Sequence, residues 1–89
     1  MKTIDLLTAQ YGGIAVIPLD WVARDYLRHL SVAKLQRKVL TGEISLPIVR
    51  MESSQKCAKG VHITDLAAYL DARAEAARKE CRQLSGAAA

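Results

Sequence analysis

The chain has 89 residues, a hydrophobic fraction of 51%, an aromatic fraction of 4% and a formal net charge of +4. This length excludes barrel enzymes and two-domain folds, and the hydrophobic fraction excludes a disordered chain. With so few aromatic residues, the core is expected to be aliphatic. A charge excess of this size indicates a polyanion ligand only if the basic residues are clustered.

The cysteines and the chain start give predictions about compartment and metal binding. The chain has two cysteines, Cys57 and Cys81, and no CxxC motif, which predicts reduced thiols rather than a disulfide or a zinc site. No secretory signal and no stretch long enough to span a bilayer are visible. The sequence therefore predicts a soluble, cytoplasmic protein without a metal or cofactor.

The first predicted elements are a short helix and a short strand. Residues 3–11 carry apolar side chains at i, i+3 and i+7, which predicts a helix, and two glycines follow. An apolar run over residues 15–17, ended by Pro18, favours a brief strand.

Two amphipathic helices are predicted next. Residues 19–30 have apolar side chains at i, i+3, i+4, i+7, i+8 and i+11, one continuous stripe. Residues 32–41 form a second pattern of this kind, with Ser31 placed to cap its start and Gly42 placed to end it. Two short helices joined by a tight connection indicate a helix-turn-helix.

The last part of the chain predicts a hairpin and a long helix. Residues 47–63 contain two short β-type runs around a polar tip, and residues 64–84 form a helix that Ser85 and Gly86 are expected to end. The second half of its apolar stripe consists mainly of small side chains, Ala and Cys. This half of the helix is expected to overhang the body of the domain. The predicted fold is mostly α with a small β-hairpin. It is a winged helix-turn-helix with an added N-terminal helix and a long C-terminal helix, filling one domain over residues 1–89.

The basic residues are clustered. The net charge is −1 over residues 1–23, +5 over residues 24–59 and zero over residues 60–89. The excess lies on the helix pair and the hairpin, the two parts of a winged helix that face DNA, and a clustered patch favours binding through counterion release. The candidate DNA contacts from this pattern are Arg24, Arg28, Lys34, Arg37, Lys38, Thr41, Ser53, Ser54, Gln55, Lys56 and Lys59.

These candidates have different expected roles. Arg37 is suited to a guanine edge and Gln36, which lies nearer the apolar side, to an adenine edge. The lysines of the second helix and the hairpin, with Arg24 and Arg28, are suited to phosphates. No GxGxxG, phosphate-binding loop or nucleophile elbow occurs in the sequence, so an enzyme is not expected.

Several segments resemble the pyocin activator protein PrtN family. They are LLTAQYGGIAVIPL (6–19), RDYLRHLS (24–31), KVLTGEISLPIVR (38–50) and SQKCAKGVHITDLAAYLD (54–71), within a likeness that covers about residues 4–82. The resemblance implies a transcriptional activator of phage-tail-like bacteriocin or prophage genes, induced in the SOS response and bound to repeated promoter boxes in double-stranded DNA. The DNA contacts that it implies are Lys38, Arg50, Ser54, Gln55, Lys56 and Lys59.

Three functions remain open from the sequence. The first is an activator that places its recognition helix in the major groove and its wing on the adjacent backbone, and then contacts RNA polymerase or changes DNA shape. The second is an excisionase-like architectural protein that bends DNA. The third is a protein-interaction module that sequesters a host regulator through the first and last helices. A homodimer through the terminal helices is also predicted.

Overall fold

The structure, a computed structural model, describes residues 1–54 and 57–88. It is mostly helical with one small antiparallel sheet, which confirms the predicted α-rich, winged helix-like fold class. The elements are α1 (Thr3–Tyr11), β1 (Val16–Pro18), α2 (Leu19–Tyr26), α3 (Val32–Leu40), β2 (Val49–Arg50), β3 (Lys59–His62) and α4 (Ile63–Ala88).

The sheet joins the hairpin to the N-terminal part of the chain. Its strand order is β1-β3-β2, and both pairings are antiparallel. Ile17 lies opposite Val61, and both side chains are fully buried. The sequence predicts the β1 run and the hairpin separately, whereas the structure pairs them. The hairpin is therefore held by the core through β3.

The core is built mainly from aliphatic side chains, as the composition predicts, and Tyr11 is its one buried aromatic residue among those described. The core is shared by the helices, the sheet and the connection after α3, which contributes Leu46. No buried polar or charged residue occurs within the described residues. The largest fully buried side chains are Leu7, Ile17, Leu35, Leu46, Leu66, Val22 and Val61.

Helix α2 is shorter than predicted. It ends at Tyr26 rather than at residue 30, because the backbone of Leu27 leaves the helix with φ −132° and ψ 52°. Leu27 is nevertheless buried, and Leu30 packs against the core from the same connection. The apolar spacing predicted burial correctly but not the backbone conformation. The link between α2 and α3 is therefore the longer segment 27–31.

Helix α3 begins as its sequence predicts. The Ser31 hydroxyl accepts a 3.2 Å hydrogen bond from the backbone N–H of Lys34, which caps the helix. The helix ends at Leu40, one residue earlier than predicted, and Thr41 is its C-cap. Gly42 follows with φ 80°, a left-handed conformation in which glycine carries no side-chain penalty.

Helix α4 is longer than predicted. It begins at Ile63 and continues to Ala88, so Ser85 and Gly86 do not end it. One glycine costs a helix only about 1 kcal/mol relative to alanine, and the neighbouring alanines favour the helix. Every side chain from residue 75 to residue 86 is exposed. We call residues 75–86, which extend beyond the body, the overhang.

Candidate nucleic-acid interface

The outer face of α3 is basic. Leu35 faces the core and is fully buried. At about 100° per residue, Arg37 lies on the opposite side of the helix, with Lys34 and Thr41 beside it. All three of these polar side chains are exposed. The helix therefore presents a guanidinium at the centre of a solvent-facing ridge, as the sequence pattern predicts.

A cleft separates α3 from the strand pair β2–β3. Its volume is about 170 Å³. Arg50 and Lys59 are directly opposite partners in the antiparallel register, so their side chains lie on the same face of the sheet. Two cations on one wall of a cleft favour an anion there. The cleft is lined by Gln36, Val39, Leu40, Ile48, Arg50 and Lys59.

Leu40 and Gln36 are cleft residues that the sequence places on or near the apolar side of α3. The sequence places Leu40 on the apolar side of its helix, and this is wrong, because the side chain is 78% exposed. Leu40 follows the buried Leu35 by five positions, which turns it about 140° away, and that spacing was the available signal. Gln36 is half-buried on the cleft wall. An exposed leucine and an amide beside cations suit contacts to base edges.

Lys38 lies apart from the exposed ridge. The sequence groups it with Lys34 and Arg37, but the structure turns its half-buried side chain toward a groove shared with α4. Its Nζ lies 3.7 Å from a carboxylate oxygen of Glu43. The Thr41 hydroxyl lies 3.1 Å from the Lys38 carbonyl oxygen and 3.3 Å from the same Glu43 carboxylate. Lys38 is therefore less available to a ligand than its neighbours.

Arg24 is held in place by a cluster that joins α1 to α2. Its Nε donates a 2.8 Å hydrogen bond to Asp25, and its guanidinium lies 5.7 Å from the centre of the Trp21 ring. Asp25 also accepts a 2.6 Å hydrogen bond from the Tyr11 hydroxyl. The hydrogen bonds from Arg24 and then Tyr11 lower the pKa of Asp25 to about 2. The Arg24 side chain is 64% exposed, so it presents an oriented cation.

Arg24 and Arg28 flank the start of α3. They line a shallow groove of about 340 Å³ together with Ser31 and Val32, the residues at which α3 begins. Arg28 is exposed. Cations therefore stand at both ends of α3, with this arginine pair near its start and the cleft near its end.

The hairpin loop contains the remaining candidates. Ser53 and Ser54 are exposed. The Cys57 thiol is half-buried and donates to the Glu52 carbonyl oxygen at 3.2 Å. Two further predicted contacts, Gln55 and Lys56, lie outside the described residues.

Three further features concern metal ligands, cysteines and membrane spans in the described part of the chain. It contains no group of three His, Cys, Asp or Glu side chains able to hold a metal ion. Both cysteines there are free thiols. No described helix has the length and apolar composition needed to cross a membrane.

The fold and its basic face define a small, α-rich, winged helix-like protein. The chain belongs to the family described as pyocin activator protein PrtN, which it matches over residues 3–77, from α1 into the start of the overhang. This family consists of transcriptional activators, which is not an enzyme class. Comparison with curated proteins and with solved structures returns no match.

Proposed function

We propose that this protein activates pyocin-like or prophage genes by binding promoter DNA at the nucleoid, in the cytoplasm. The observation that carries the proposal is the pair of cations Arg50 and Lys59, which lines a cleft together with Gln36 and Leu40 of α3. Two cations on one wall of a cleft attract an anion, and a DNA backbone supplies one. Membership in a family of activators supports the same function.

Helix α3 is the proposed recognition helix. An α-helix fits the major groove, and Arg37 is the exposed side chain best placed for a bidentate contact with guanine. Leu40 suits the methyl group of thymine, and Gln36 suits an adenine edge at the cleft rim. Lys34 and Thr41 border the ridge and are suited to the sugar-phosphate backbone.

The β2–β3 hairpin is the proposed wing. One DNA strand passes along the cleft, where Arg50 and Lys59 hold its phosphates. The loop residues Ser53, Ser54, Gln55 and Lys56 continue this contact along the backbone or into the minor groove.

The arginine pair at the start of α3 holds a second stretch of backbone. Arg24 is oriented there by Asp25 and Trp21, and Arg28 stands beside it. Lys38 contacts the DNA backbone only when its exposed ion pair with Glu43 breaks. Breaking this ion pair costs little, because exposed ion pairs contribute about 0–1 kcal/mol to stability.

Transcription is then activated by contact with RNA polymerase during the SOS response. The DNA-facing side is formed by α3 and the hairpin, so α1 and α4 remain available for polymerase. Nothing in this mechanism requires catalysis or a cofactor.

In vitro selection from random duplexes, followed by gel shifts, tests this function. We expect the selected DNA to bind the wild type, and the Arg37→Ala variant and the Arg50→Ala/Lys59→Ala variant to lose affinity. Lys79→Ala, a cation of the overhang, is the control and should bind normally. Equal affinity of all four proteins would contradict the proposal. Binding that bends DNA without activating a reporter gene would favour the excisionase-like function.

A further inference from the structure

The end of α3 brings a carboxylate back onto the helix. The backbone N–H of Gly42 donates to the Val39 carbonyl oxygen at 3.1 Å, and that of Glu43 donates to the Lys38 carbonyl oxygen at 2.9 Å. These two hydrogen bonds form a Schellman motif, in which the chain reverses through a left-handed glycine. The reversal places the Glu43 side chain beside that of Lys38.

The side chains that meet in this motif are charged. In a Schellman motif these two positions frequently make a hydrophobic contact. Here the contact is an ion pair of 3.7 Å between Lys38 and Glu43, whose side chains are 41% and 62% exposed. An ion pair as exposed as this one contributes little to the stability of the fold. Its position at the end of the proposed recognition helix suggests a role in binding instead.

One oxygen of Glu43 contacts two groups that are suited to a phosphate. The carboxylate oxygen that lies 3.7 Å from the Lys38 ammonium also lies 3.3 Å from the Thr41 hydroxyl. Lysine ammonium and threonine hydroxyl groups are common partners of phosphate oxygens in complexes with DNA. In the free protein these two groups therefore already hold an anion, and this anion belongs to the chain itself.

We propose that Glu43 occupies a phosphate position of the DNA-binding face and thereby strengthens the preference of the protein for its own DNA sequence. This inference rests on the proposed function of α3 as the recognition helix. On unrelated DNA, α3 makes no base contacts, so Glu43 stays on Lys38 and Thr41 and repels nearby phosphates. On the preferred sequence, the contact of Arg37 with a base seats α3 in the major groove, and a phosphate displaces the carboxylate.

The displaced side chain has space and a second cation beside it. Glu43 and Arg73 of α4 together line two grooves of about 460 and 410 Å³. The Arg73 side chain is exposed and forms no ion pair within the described residues. Only the Glu43 side chain has to rotate, because its backbone N–H can stay bonded to Lys38. The carboxylate can therefore exchange Lys38 for Arg73 without a change of fold.

A double-mutant cycle of Glu43 and Lys38 tests the inference by fluorescence anisotropy over a series of salt concentrations. On a duplex of scrambled sequence, Lys38→Ala alone should leave the slope of log affinity against log salt nearly unchanged, because Glu43 already holds the ammonium. In the Glu43→Gln background, Lys38→Ala should reduce the magnitude of this slope by about 0.9, the value of one phosphate contact. Glu43→Gln should also lower the ratio of affinities for the selected and the scrambled duplex by about threefold.

The control is Glu80→Gln, which makes the same change of net charge on an exposed side chain of the overhang and should alter neither quantity. Thermal unfolding midpoints close to that of the wild type check that each variant is folded. An equal effect of Lys38→Ala on the slope in both backgrounds would overturn the inference, and so would an unchanged affinity ratio in Glu43→Gln. A wild type that binds neither duplex would contradict the proposed function itself, and the role of Glu43 with it.

Discussion

Arg50 and Lys59 stand directly opposite each other in the pairing of β2 with β3, and both line the cleft against α3. Their side chains therefore lie on one face of this short strand pair. In the proposed function, these two cations attract a phosphate of the DNA backbone at the cleft.

Removing Arg50 should weaken DNA binding without harming the fold. Each phosphate contact contributes about 0.9 to the slope of log affinity against log salt, so Arg50→Ala should reduce that slope by about one. Fluorescence anisotropy over a series of salt concentrations measures the slope, with Lys79→Ala as control. Thermal unfolding should show an unchanged midpoint, since the Arg50 side chain is exposed. A variant with the wild-type slope would contradict the cleft contact.

Arg37 and Lys34 should affect DNA binding differently. Arg37→Ala should cost about 1–3 kcal/mol on the preferred sequence and relax the preference at one base pair. Lys34→Ala should weaken binding to all sequences by a similar factor, because phosphates carry no sequence information. Competition with single-base variants of the selected duplex measures both effects. Uniform losses in both variants would rule out Arg37 as a base-reading residue.

Gly60 should be essential for anchoring the hairpin. A Cβ atom at this position would meet the carbonyl oxygen of Ile17 at 2.5 Å and Cγ1 of Val16 at 2.7 Å. Gly60→Ala should therefore separate β3 from β1 and lower the free energy of unfolding by about 1–3 kcal/mol. Gly86→Ala, where a Cβ meets nothing within 4 Å, is the matched control and should not destabilise the protein. Equal unfolding midpoints of the two variants would contradict the close packing of β1 on β3.

Asp25 should make the free energy of unfolding depend on pH in the acidic range. Hydrogen bonds from Arg24 and then Tyr11 hold its pKa at about 2, below its ordinary value of 3.8. Because folding lowers this pKa, the ionised carboxylate stabilises the fold above about pH 4, and the contribution is lost as pH falls toward 2. Urea unfolding of the wild type and Asp25→Asn from pH 2 to 7 should give curves that converge at low pH. A constant difference at all pH values would contradict this role.

Local patterns predicted much of the fold. The helix predicted over residues 3–11 has the bounds of α1, and Ser31 caps α3, because short-range spacing and capping determine both. The end of α2 was not predictable from the sequence. Leu27 and Leu30 have the spacing of a helix and contact the core, but both lie in the loop after α2. The pairing of β1 with β3 depends on residues far apart in sequence, so no local pattern indicates it.

The candidate site was predicted in part. Charge clustering indicated the helix pair and the hairpin, and the structure places Arg50 and Lys59 opposite each other beside α3. The pairing of these two residues is set by the register of β2 on β3, which the composition of the chain does not indicate. Lys38 could not be assigned from helical spacing alone, because its position depends on Glu43 after the end of α3.

The central claim is that α3 and the β2–β3 hairpin form the DNA-binding face. The most direct test is an NMR titration of the isotope-labelled protein with the selected duplex, followed through the backbone amide shifts. We predict that the largest changes fall on α3, on β2 and β3, and on the segment around Arg28, while residues 75–84 of the overhang change little. Changes concentrated on α1 and α4, with α3 unaffected, would contradict the claim.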